Sequence, residues 1–115
     1  MLSGLLIMSL AAAGQPELMA NSKSKISAVS FGSEKSSDVF GTIDLPLTQF
    51  AIEQCGACNC SPDQDSIRFV LLSSNYSKES VARESLEAFL SETEATVAAV
   101  GCFENQPIIR RVFSR

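Results

Sequence analysis

The chain predicts a mainly β domain with one helix: a five-stranded barrel in the order β-β-β-α-β-β. Three observations carry that expectation. Short runs of β-branched and aromatic residues, alternating with polar ones, recur at 26–31, 39–45, 67–72, 96–103 and 108–113. One longer stretch, 77–93, has the spacing of an amphipathic helix instead. At 115 residues with 45% hydrophobic content, the chain has room for one globular core.

Residues 1–20 open with the apolar run Leu5 to Ala13, too short to span a bilayer and of signal-peptide length. Small residues at Ala11 and Ala13, or Ala12 and Gly14, suit a signal peptidase, although Met1 to Gly4 lacks a basic residue. The single domain is then expected over 21–115, with Asn21 to Lys25 a polar, flexible lead-in. Ile26 to Phe31 reads as the first strand and Val39 to Leu45 as the second, joined as a hairpin through Gly32 to Asp38 and ended by Pro46. Leu47 to Gln54 fits a turn or two of helix or a short strand. Cys55 to Asp63 reads as a loop, since Gly56 and Pro62 break regular structure.

Ile67 to Leu72 is the third strand. Ser77 is placed to cap a helix whose apolar face is Ala82, Leu86, Phe89 and Leu90, with Arg83, Glu84 and Glu87 turned away. Glu79 in its first turn meets the helix dipole favourably. Thr96 to Phe103, a turn at Glu104 to Pro107, and Ile108 to Phe113 complete the set. A helix between strands three and four is the element order of the OB-fold.

Charge and residue inventory exclude several functions. A net charge of −4 with scattered basic residues opposes a nucleic-acid partner, because backbone recognition rests on clustered Lys and Arg. The absence of histidine removes the commonest general base and zinc ligand. No phosphate loop or nucleophile elbow is present, and no cofactor is implied. The expectation is therefore not an enzyme.

The run Ser85 to Leu90, then Val97 to Cys102 and Ile108 to Val112, resembles small secreted bacterial OB-fold proteins with the B-subunit architecture of AB5 toxins, the subtilase-cytotoxin type included. The resemblance covers most of 26–115. It implies a bridge from a cysteine after the second strand to one after the fourth, with Cys102 at the second position and Cys55, Cys58 or Cys60 at the first. It also implies a binding module that can self-associate through its edge strands.

Cys55, Cys58, Cys60 and Cys102 admit three readings. Two structural disulfides suit an oxidising compartment and the candidate signal peptide. A Cys58 to Cys60 link is the least comfortable, and Cys102 is expected to join Cys60 or Cys55. A thiolate metal site for zinc or copper needs all four sulfurs around one ion. A thiol redox site would rest on Cys55-Gly56-Ala57-Cys58 at a helix N-terminus, where Asn59 to Pro62 leaves little room for a helix.

Ligand contacts are expected from Phe31 and Phe40 on the outer face, with Arg110 or Arg111 beside them, although phenylalanines are more often core. On a regular strand Arg110 and Arg111 point to opposite faces. Asn75-Tyr76-Ser77 has the form of a glycosylation acceptor, and its place ahead of a helix gives it a capping role as well. The expectation is a secreted or periplasmic, disulfide-stabilised, non-enzymatic module for a glycan or protein surface, with no membrane span and a capacity for homo-oligomers.

Overall fold

The computed structural model describes residues 23–32 and 38–114. Its elements are β1 (Lys23–Lys25), β2 (Ala28–Phe31), β3 (Val39–Pro46), α1 (Gln49–Ala57), β4 (Ser66–Leu72), α2 (Lys78–Ser91), β5 (Glu94–Phe103) and β6 (Gln106–Ser114). The strands make one sheet in the order β1-β5-β6-β4-β3-β2. The protein is mainly β. Among the described residues there are six strands, two helices and an open sheet, which corrects the expected five-stranded barrel with a single helix. The candidate signal peptide at 1–20 lies outside the described residues.

Two short stretches account for the difference. Lys23-Ser24-Lys25, expected as a flexible lead-in, pairs antiparallel with β5. Only Ser24 turns inward, opposite Ala95, and both lysines stay exposed, so a polar triplet suffices as an edge strand. The second stretch is α1, which runs on through Cys55 and Gly56, where a loop was expected. The Thr48 side chain accepts a hydrogen bond from Ala51 N at 3.1 Å, and Ala51 and Cys55 are buried one turn apart. Gly56 sits in the last turn, where a single glycine costs about 1 kcal/mol and does not stop a helix. The helix closes at Cys58, whose N–H reaches Cys55 O, and Asn59 turns left-handed at φ 60°.

The β2–β3 hairpin forms as expected, with part of its turn, residues 33–37, outside the described residues. Phe31 stands opposite Gly41, and its ring fills the place a side chain at Gly41 would occupy. Partners shift from Val39–Leu72 to Gly41–Leu71, leaving Phe40 as a bulge residue. Across the sheet, β4 meets β6 in parallel at Val70 and Ile108. The β5–β6 turn is tight: Glu104 and Asn105 have φ 50° and 65°, the two left-handed positions of a two-residue hairpin. The last strand therefore starts at Gln106, earlier than expected, and Pro107 pairs with Cys102 within it.

The core joins Ile43, Leu45, Phe69, Leu71, Val97 and Ile109 of the sheet to Val81 and Ala88 of α2. The buried stripe of α2 is Val81, Ser85 and Ala88, with Ala82 and Phe89 packed beside it. That corrects the expected face: Leu86 is 41% and Leu90 70% exposed. Small side chains bring the helix close to the sheet, and Ser85 is satisfied by donating to Val81 O at 2.8 Å. Glu84, expected to face away, accepts from Ser114 N and Oγ on β6. Ser77 makes no side-chain cap; the cap role passes to Asn75, whose Oδ1 accepts from Ser77 N at 2.8 Å. No helix among the described residues is long and apolar enough to cross a membrane.

Candidate functional site

The four cysteines gather at one end of the molecule. Cys55 pairs with Cys60 and Cys58 with Cys102 at disulfide distance, with Cα separations of 5.0 and 5.5 Å. Cys102 therefore joins Cys58, which corrects the expected link to Cys60 or Cys55. The reason lies in α1: helical spacing buries Cys55 on the core side, while the cap residue Cys58 lies against Gly101 and Cys102 on β5. Cys60 is brought back over the helix end, where its N–H bonds to Cys55 O at 3.0 Å.

This arrangement bears on the redox reading. Cys55 sits near the C-terminal end of α1, where the helix dipole opposes a thiolate rather than stabilising it. Cys55 and Cys58 also pair with other cysteines, not with each other. Among the described residues no cluster of three or more His, Cys, Asp or Glu stands in a metal-holding arrangement.

Phe31 and Phe40 come together with ring centroids 6.5 Å apart. Both are half-buried against the core, and the Lys78 ammonium stands 5.8 Å from the Phe40 ring centre. Arg110 and Arg111 lie elsewhere, on the outer side of β6. Their expected placement on opposite faces is corrected by a bulge: Ala98 pairs with Arg111 but Ala99 with Ile109, so Arg110 is the extra residue and both arginines are exposed. Arg111 stacks its guanidinium over Phe113 at 5.4 Å.

Both arginines line one cleft of about 340 Å³ with Asn75, Tyr76, Val100 and Ile108. Asn75 holds this corner together, since its Nδ2 donates to Arg110 O at 3.3 Å while its Oδ1 caps the helix start. Tyr76 projects from the same turn with 97% of its surface exposed. The cleft thus brings a tyrosine and two arginines beside the apolar side chains of Val100 and Ile108.

No protein-family model, curated protein or solved structure matches the chain.

Of the expected contact residues, then, the structure brings Phe31 to Phe40 and Arg110 to Arg111, in two separate places. In the sequence Asn75 and Tyr76 read only as a capping or glycosylation segment. The bulge that aligns the arginines has no local signal in Ile108 to Val112, because it arises from the register against β5.

Proposed function

We propose that the chain is a secreted or periplasmic, non-enzymatic binding module with an OB-like topology. The observation that carries the reading is the pairing of all four cysteines at disulfide distance at one end of the sheet. Such bridges persist outside the reducing cytosol. A leading signal peptide at 1–20 belongs to the same proposal.

The topology has support in the strand order. β2, β3 and β4 form an antiparallel meander, β6 runs parallel to β4, and α2 enters between β4 and β5. β1 and β2, separated by Ile26 and Ser27 alone, lie at the two ends of the sheet, as halves of one bent first strand would. A helix that enters between β4 and β5, after the β2–β4 meander, agrees with the OB-fold element order and with the resemblance the sequence bears to B subunits of AB5 toxins. Self-association through edge strands and the exposed Leu86 and Leu90 is part of the reading.

The ligand face is the cleft of Asn75, Tyr76, Arg110 and Arg111, with the Phe31–Phe40 pair a structural support for its neighbour Lys78. Tyrosine and arginine together favour a protein surface carrying carboxylates, with an acidic glycan the second choice. Two measurements test the proposal. The exported protein should weigh four protons less than its reduced form, hold no metal and expose no titratable thiol; four thiols with one bound zinc or copper would replace it with the thiolate metal reading. Polyglutamate-bearing peptides and sialylated or neutral glycans, presented as arrays, should show binding that Tyr76→Ala and Arg111→Glu abolish. Binding untouched by both substitutions would remove this face from the reading.

A further inference from the structure

The charges of the described residues are unevenly placed, although the chain as a whole carries −4. The loop after α1, residues 61–65, is exposed throughout and presents Asp63 and Asp65 just after Pro62. Glu104, in the β5–β6 turn, lies at the same end of the molecule, beside Ser61 and Gln64. Arg68 is the basic residue there, and it is spent on Asp44, with its Nε 3.0 Å from the carboxylate. Asp63, Asp65 and Glu104 have no basic partner among the described residues. Two bridges fix this acidic end: Cys60, next to Ser61, is tied to Cys55, and Cys102, just before the turn, to Cys58.

The Tyr76 cleft has the opposite sign. Arg110 and Arg111 are the charged side chains that line it, and no carboxylate among the described residues does. It also lies at the other end of the strands. Asp65 immediately precedes β4, whose seven residues run to Leu72, and Leu72 is already part of the cleft. At about 3.3 Å per residue, β4 holds the acidic loop and the cleft about 20 Å apart. The aspartates therefore cannot meet the arginines of their own chain. Those of a second copy can.

The two surfaces match in chemistry as well as in sign. Asp63 and Asp65 flank one residue, so their Cα atoms lie within about 7 Å of each other. The bulge in β6 leaves both arginines exposed, and planar guanidinium forks take carboxylates in bidentate pairs. Tyr76, 97% exposed, offers its ring to the rigid apolar ring of Pro62.

We propose that the Tyr76 cleft of one copy receives the 62–65 loop of a second copy, with Asp63 and Asp65 on the two guanidiniums and Pro62 against the tyrosine ring. The inference rests on the reading of that cleft as a site for a carboxylate-bearing protein surface, and it names this protein as that surface. Cleft and loop are different patches, so the copies join head to tail. The disulfides hold the loop in shape before it docks, which lowers the ordering cost of the contact.

The test is sedimentation velocity on the full oxidised chain over a range of concentrations up to about 1 mM. The weight-average mass should rise with concentration, and raising the salt from about 50 to about 500 mM should weaken association tenfold or more. Asp63→Arg with Asp65→Arg, and separately Arg110→Asp with Arg111→Asp, should each abolish it. An equimolar mixture of the two variants should associate again, because each loop then meets a cleft of opposite charge. A chain that stays monomeric, association that survives either reversal, or a mixture that restores nothing overturns the proposal. If the chain stays monomeric while polyglutamate peptides bind the cleft, the second copy is excluded and the ligand face stands; if the peptides fail as well, both readings fall.

Discussion

Cys58 and Cys102 stand 5.5 Å apart at their Cα atoms although 44 residues separate them in sequence. Cys55 and Cys60 close a span of five residues. In the chain-entropy model these loops restrict the unfolded ensemble by about 4 and 2 kcal/mol respectively. Replacing Cys58 and Cys102 together by serine should therefore lower the urea unfolding free energy by about 4 kcal/mol, twice the effect of replacing Cys55 and Cys60. A melting temperature that ignores an excess of reductant would contradict this ranking.

Glu84 fastens the end of β6 to α2. Its pKa is held below the ordinary 4.5 by the Ser114 hydroxyl first and the Ser114 N–H second. A depressed carboxylate stabilises the fold above its unfolded pKa and loses that contribution as pH falls through the folded value. Solvent screening at this half-buried site limits the effect to about 1 kcal/mol or less. The protection factor of the Ser114 amide, its exchange measured against the intrinsic rate at each pH, should fall in the native chain as pH drops below 4.5, and Glu84→Gln should show the lower factor at every pH. Equal protection of both proteins at pH 7 would show that the carboxylate does not anchor the strand.

At Gly41 the constraint is steric. An added Cβ would come 2.0 Å from Phe31 Cδ1 and 2.8 Å from Ser30 O, both too close to stand. Gly41→Ala should destabilise by about 1–3 kcal/mol, measured by chemical denaturation. In a Phe31→Ala background the same change should cost less, because the ring is gone and only the Ser30 contact remains. An equal cost in both backgrounds would place the strain elsewhere.

Much of the fold was legible where periodicity is strong. The runs at Val39 to Leu45 and Ile67 to Leu72, and the helix from Lys78, stand close to their expected bounds. What stayed hidden was decided by partners rather than by local pattern. Ser24 becomes a strand residue because β5 offers an edge, and Leu86 is left outside because Ser85 and Ala88 let the helix settle closer. Gly56 and the three nearby cysteines looked like loop, yet Thr48 and Ala51 start a helix that carries through them. The cysteine pairing was illegible for the same reason: a helix, not a loop, decides which sulfur faces Cys102.

The stretch from Lys23 to Phe31 guards both borders of the sheet, covering β5 with its first three residues and β3 with its last four. One short length of chain thus lies along two flanks that are far apart in the strand order, against residues 94–96 of β5 and 41–44 of β3. Peeling it away would uncover both stretches at once.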